Sequence, residues 1–185
     1  MSSLEQTVNA LHQGQVIAYP TEGVFGLGCD PDRPQAIERL LAIKQRPKEK
    51  GLILIAADFS QLELYVDLDR LTSVRREQIF ASWPGPITWV LPASDLTSRW
   101  VTGQFDTVAV RVSDHPLVVS LCEAFGKPII STSANLSGQP AALHEAEVER
   151  QFGGQIAAIL SGQTGGRNKP SRIMDGLTGD VLREG

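Results

Sequence analysis

The 185-residue chain is 42% apolar and 21% charged, with a formal net charge of −4, the balance of one water-soluble domain large enough to bury a core. That charge argues against broad nonspecific nucleic-acid binding as the main task, and no apolar run approaches the roughly 20 residues that a membrane span needs. Two distant cysteines, Cys29 and Cys122, and three scattered histidines, His12, His115 and His144, show no metal-ligand spacing, so reduced thiols and no histidine metal site are expected.

Residues Met1–Gln6 lack a basic stretch followed by an apolar core, so no secretory leader is expected and a cytoplasmic location follows. Ser3 and Gln6 form a plausible capping box, with Leu4, Val8 and Leu11 on one helical face before Gly14. Val16–Tyr19 reads as a buried strand stopped by Pro20. The next stretch, Thr21-Glu22-Gly23-Val24-Phe25-Gly26-Leu27-Gly28, reads as a glycine-rich loop. Its glycines fit neither the Walker nor the dinucleotide-binding pattern, and turns with positive φ would account for them.

Pro34 opens a helix in which Ile37, Leu40, Leu41 and Lys44 recur at helical spacing, and Pro47 closes it. Leu52–Ala56 is a second strand, and a helix is expected around Thr72–Trp83, ending at Pro84-Gly85-Pro86. Ile87–Leu91 and Val108–Val112 read as strands three and four. Pro116 starts a helix with Leu117, Leu121 and Phe125 inward and Gly126 just past its end. Ile129–Ser131 and Ile156–Leu160 are strands five and six, and 162–185 is a polar, glycine-rich tail until Val181-Leu182-Arg183. Strands alternating with helices, without repeat, low-complexity tract or linker, predict one α/β domain over 1–185 with an open sheet.

Three segments could carry chemistry. Ile129–Ser131 empties into Thr132-Ser133-Ala134-Asn135-Leu136-Ser137-Gly138, a strand end offering amides and hydroxyls to an anion, or an ordinary polar turn. Lys44-Gln45-Arg46-Pro47-Lys48-Glu49-Lys50 places four of the 17 Lys and Arg residues within seven positions. Cations complementing a helix C-terminus explain Lys44 and Arg46. A polyphosphate site explains them all, since Arg offers a bidentate fork and Lys a point charge. Arg111 interrupts an apolar strand and must find an anion or solvent; a structural salt bridge would also satisfy it. The tail segment 164–171 is either a surface loop or a lid over a charged ligand.

Taken together, Pro20-Thr21-Glu22, Lys44-x-Arg46-Pro47, Pro84-Gly85-Pro86-x-Thr88, Val110-Arg111-Val112 with His115-Pro116, and Ser133-Ala134-Asn135-Leu136-Ser137-Gly138 resemble the YrdC/TsaC family of threonylcarbamoyl-AMP synthases. The match is colinear over almost the whole chain and resembles the short bacterial form. It implies a single-domain, open, twisted mixed sheet flanked by helices, with a basic concave cleft. It also implies an activity: L-threonine, bicarbonate and Mg²⁺-ATP give threonylcarbamoyl-adenylate and pyrophosphate. The product feeds threonylcarbamoylation of adenosine 37 in tRNAs reading codons that begin with A. The downstream transferase complex would be a partner, with any tRNA contact weak or transient and no membrane involved.

Carried over residue by residue, the resemblance puts Lys44, Arg46 and Lys50 on the ATP phosphates as the catalytic cations. Thr21, Arg111, Ser133 and Ser171 would hold threonine, with Arg111 near its carboxylate. Arg46, Lys50, Thr107, Asn135 and Arg183 would contact the nucleotide. Adenylate formation needs charge neutralisation and alignment more than a protein nucleophile, which agrees with the absence of any triad-like spacing. No residue stands out as the base that deprotonates threonine. Two other readings compete. An RNA-binding module has the net charge and scarce aromatics against it. A carbamoyl-transfer domain of hydrogenase-maturation type lacks its usual companion segments.

Overall fold

Short β-branched runs become strands because alternate side chains bury on opposite faces of one sheet. The computed structural model describes residues 1–167 and 169–185; Asn168, part of the tail segment above, lies outside the described residues. The strands are β1 (Ile17–Pro20), β2 (Phe25–Gly28), β3 (Ile53–Ala56), β4 (Ile87–Pro92), β5 (Thr107–Val112), β6 (Ile129–Ser133), β7 (Ala158–Ile159), β8 (Arg172–Asp175) and β9 (Val181–Arg183). They form one sheet in the order β7-β1-β2-β6-β3-β5-β4-β8-β9. β1/β7, β3/β5 and β4/β8 pair in parallel and the other neighbours antiparallel. The sheet is therefore mixed.

Helices cover both faces: α1 (Ser3–His12), α2 (Pro34–Lys44), α3 (Ser73–Ala81), the single turn α4 (Arg99–Thr102), α5 (Pro116–Phe125) and α6 (Glu145–Phe152). Ile17, Tyr19, Ile55 and Ile129 pack on one face against Leu11 of α1 and Val118, Leu121 and Phe125 of α5. Their neighbours Ala18, Leu54, Ala56 and Ile130 pack on the other, with Ile37 and Leu40 of α2, Ile79 of α3 and Phe152 of α6. Each fully buried Ile or Leu contributes roughly 2 kcal/mol, so both layers are needed.

Where the structure departs from expectation, local chemistry explains it. The capping box of α1 uses Ser2 and Glu5, one residue earlier than Ser3 and Gln6: the Glu5 amide donates to Ser2 Oγ (3.2 Å) and the Ser2 amide to Glu5 Oε2 (2.7 Å). A carboxylate there also meets the positive end of the helix. The glycine-rich loop contains a strand, β2, and none of Gly23, Gly26 and Gly28 has a positive φ. Close approach explains them instead. The Tyr19 ring lies over its cross-strand partner Gly26, and its hydroxyl donates to the Ile130 carbonyl (3.1 Å); a Cβ on Gly28 would overlap that same carbonyl. Segment 145–152, given no element from sequence, is helix α6, and the polar tail supplies β8 and β9.

Candidate active site

One face of the sheet is covered by α1 and α5 at one end and left open at the other. A cross-strand row on that open part, Ser131 of β6, Ile53 of β3, Ala109 of β5 and Val90 of β4, is in register. These four residues line a cavity of about 470 Å³. Small residues at 109 and 131 leave room above the sheet where a helix would otherwise dock.

Four cations from three parts of the chain converge on this space. Arg46 and Lys50, beyond the end of α2, Arg111 of β5 and Arg183 of β9 all line it, and no Asp or Glu is among the described lining residues. Arg111 is 4% exposed. Its Nη1 donates to Ser171 Oγ (2.6 Å) and Thr88 Oγ1 (3.0 Å), while Nη2 lies 3.6 Å from Glu22 Oε2. Arg183 donates through Nη2 (2.7 Å) and Nε (3.2 Å) to the Ser171 carbonyl. Burial, and then the charges of Arg111 and Arg46, hold the Arg183 guanidinium below its usual value. Burial does the same to Arg46, whose Nη2 donates to the Gly51 carbonyl (3.0 Å) and whose Nε has no hydrogen-bond partner. Like charges held this close, short of counter-ions, favour an anion between them.

The C-terminal end of β6 forms another part of the wall through Thr132 and Ser133. Lys44 sits beneath it, on the buried stripe of α2 with Ile37, Leu40 and Leu41. Its Nζ donates to the carbonyls of Ser133 and Asn135 (2.7 Å for the latter) and to Asn135 Oδ1 (3.2 Å). Asn135 Oδ1 also accepts from Ser133 Oγ (2.6 Å), and its Nδ2 donates to the carbonyls of Leu136 (3.2 Å) and Gln139 (3.0 Å). Burial first, then the neighbouring Arg46 charge, pushes the Lys44 ammonium down to about 8.

Of the expected site residues, Thr21, Arg46, Lys50, Thr107, Arg111, Ser133, Ser171 and Arg183 line the one cavity, whereas Lys44 and Asn135 lie behind its wall. Thr21 uses its hydroxyl on the Val24 carbonyl (2.7 Å). Sequence reasoning named Glu22 and Thr88 only as members of motifs, without an individual role, and did not single out Ser113. Glu22 is buried and accepts from Ser113 Oγ (2.7 Å), and Thr88 Oγ1 lies 2.8 Å from Ser171 Oγ. The available signal was a polar residue inside or just after an apolar strand.

Residues 164–167 and 169–171 lie as a strap across the β1–β2 turn: the Gly165 amide donates to the Thr21 carbonyl (2.9 Å) and the Arg167 amide to the Glu22 carbonyl (3.3 Å). A Cβ on Gly23 would overlap the Lys169 carbonyl oxygen, so only glycine lets the strap lie this close.

A mixed open sheet with a cation-lined hollow on its uncovered face is an α/β architecture with the space and charge to suit an anion. The Sua5/YciO/YrdC family model, described as telomere recombination, matches residues 9–185, and the chain belongs to that family. It is 60% identical to a threonylcarbamoyl-AMP synthase of Vibrio campbellii over the full length of both. Among solved structures it superposes on P. abyssi Sua5 complexed with L-threonine, with a TM-score of 0.86 and 34% identity over 93% of this chain. It spans 50% of that longer chain. YciO of E. coli gives a TM-score of 0.84 at 30% identity, covering 98% of this chain and 88% of its own.

Proposed function

We propose that this protein is a threonylcarbamoyl-AMP synthase, joining L-threonine, bicarbonate and ATP into threonylcarbamoyl-adenylate with release of pyrophosphate and water. The observation that carries the reading is the cluster of Arg46, Lys50, Arg111 and Arg183 around one cavity with no carboxylate among its described lining residues. Threonine's amine and bicarbonate form a carbamate. A carbamate oxygen attacks the α-phosphate, and pyrophosphate leaves. Arg46, Lys50 and Arg183 neutralise the phosphates. Arg111 faces the threonine carboxylate, with Thr21, Ser133 and Ser171 beside it and Thr107 on the nucleotide wall. Lys44 and Asn135 act by holding the Ser133 loop in place.

No protein nucleophile is needed. Burial pushes the Cys122 thiol up to about 12 and raises Cys29 as well, which leaves both inert at neutral pH. Mg²⁺ enters bound to the nucleotide as part of the substrate. Magnesium held mainly by phosphates and water is common in such sites, and no cluster of three or more metal-ligating side chains occurs among the described residues. Among those residues no helix is long and apolar enough to cross a membrane. The reading places the chain in the cytoplasm as one domain over 1–185, passing its adenylate to the transferase that modifies adenosine 37, with tRNA contact at most transient.

The direct test incubates the chain with Mg²⁺-ATP, bicarbonate and labelled threonine and seeks the adenylate by mass spectrometry, with serine as specificity control. Failure to form a threonine-dependent adenylate would refute the reading. Gly23→Ala provides a second check. Forcing the strap away from the β1–β2 turn displaces Ser171 from Arg111, and misplacement of this kind costs about 10²-fold. Turnover at the parent rate would mean that the strap plays no part in catalysis.

A further inference from the structure

Arg46 and Lys50 reach the main cavity from a turn that its own bonds hold weakly. The turn Lys48–Lys50 closes on two hydrogen bonds of 3.4 Å, from the Lys50 amide to the Pro47 carbonyl and from the Gly51 amide to the Lys48 carbonyl. Both are long for such bonds. Arg46, Lys48 and Lys50 crowd together there with no carboxylate partner among the described residues, and their repulsion acts to open the turn. We propose that Trp100 and Gly103 are positioning residues of the reaction: they clamp this turn and so set Arg46 and Lys50 on the pyrophosphate end of ATP. The inference rests on the synthase reading above.

Three contacts make the clamp. The Lys48 ammonium lies 3.7 Å from the centre of the Trp100 ring, a cation–π contact that takes one of the three like charges away from the cavity. The Leu52 amide donates to the Val101 carbonyl (2.8 Å) and the Gln104 amide to the Glu49 carbonyl (3.1 Å), so the backbone is bridged on both sides of Lys50. Gly51 and Gly103 meet between these bonds, each with a φ of 67°. A Cβ on Gly103 would overlap the Glu49 carbonyl and the Gly51 amide nitrogen, and one on Gly51 would press on the Thr102 carbonyl oxygen at 2.9 Å. Glycine at both positions lets the two backbones touch.

The clamped turn serves both cations. Its Gly51 carbonyl accepts from Arg46 Nη2 (3.0 Å), and Lys50 lines the cavity directly. Lys48, Trp100 and Gly103 are not among the described lining residues, so they act on the substrate through the turn. Arg111 is held by Thr88 and Ser171, contacts that the clamp does not share. Loosening the clamp should therefore weaken the phosphate contacts and spare threonine.

Pyrophosphate binding in the presence of Mg²⁺, measured by calorimetry, tests the clamp without need of turnover; initial rates against ATP and threonine accompany it. Lys48 is exposed, so its variants leave the fold intact. Lys48→Met should weaken pyrophosphate binding and lower kcat/KM for ATP about fivefold, the strength of one exposed cation–π contact. Lys48→Arg, whose guanidinium also stacks on an indole, should restore both. Trp100→Leu should lose at least as much, and adding Lys48→Met to it should cost nothing further. Gly103→Ala should lose about 10²-fold in kcat/KM for ATP. KM for threonine should stay within about twofold throughout, because its contacts share no partner with the clamp.

Additive losses in the double variant would show Lys48 acting on the phosphates by its own charge and would overturn the proposal. So would an unchanged Lys48→Met, or threonine and pyrophosphate weakening together. A parent that binds pyrophosphate but forms no threonine-dependent adenylate would remove the synthase reading instead, while the calorimetric series still decides the clamp.

Discussion

Arg46→Ala is expected to lower kcat/KM for ATP by about 10²–10³-fold while leaving the thermal midpoint close to that of the parent. The magnitude is that of removing one preorganised donor aimed at developing charge. Gln45, with φ 49° and ψ 42°, ends α2 in the left-handed region. This turn carries the chain out of the helix just before Arg46, which lines the cavity rather than the core. Among the described residues the guanidinium makes one hydrogen bond, 3.0 Å to the Gly51 carbonyl, and its Nε is unpaired. Little folding energy rests on it. Pyrophosphate-release rates measured alongside thermal melts decide the matter, and parent-level turnover would remove Arg46 from the reaction.

Lys44→Met should be nearly as damaging to activity, by about 10²-fold, through a different route. Two stability effects oppose each other in this variant. Losing a buried cation relieves a desolvation cost, whereas the bared carbonyls of Ser133 and Asn135 each lose a partner. The thermal midpoint should therefore move by only a few degrees while the Ser133 loop loses its anchor.

The same residue predicts a pH effect. The native Lys44 ammonium titrates at about 8, below its ordinary 10.5. Between those values the native state binds fewer protons than the unfolded chain, so on this group's account stability rises with pH. Activity should move the other way, because a neutral amine has two N–H donors for three acceptors. The ratio of parent to Lys44→Met rates, in which the ionisation of threonine cancels, should fall as pH passes through about 8. A flat ratio would show that the protonation of Lys44 is irrelevant to turnover.

Much of the architecture was legible in the residues because apolar runs and helix punctuation are local signals. The strand cores at 53–56, 87–91, 108–112 and 129–131 and the helices opened by Pro34 and Pro116 are all present. What escaped depends on distant parts of the chain. Gly26 and Gly28 look like turn residues until the Tyr19 ring and the Ile130 carbonyl occupy the space above them. Helix α6 buries only Val148 and Phe152, too narrow a stripe to stand out. In the site, the cationic cluster after α2 and Arg111 were visible as residues out of keeping with their surroundings. The division of labour within the cluster was not. Lys44 follows the apolar stripe of its helix inward, as its spacing from Leu40 and Leu41 already indicated, while Arg46 and Lys50 remain on the cavity wall.

Among the described residues strand β9 pairs only with β8, and Val181, Leu182 and Arg183 are all exposed, yet Leu182 and Arg183 help enclose the main cavity. The outermost ribbon thus bears almost none of the burden of cohesion and a full share of the chemistry. Proteolytic trimming there would yield a species that melts like the intact protein and makes no product, so soundness of fold is no guarantee of competence in this molecule.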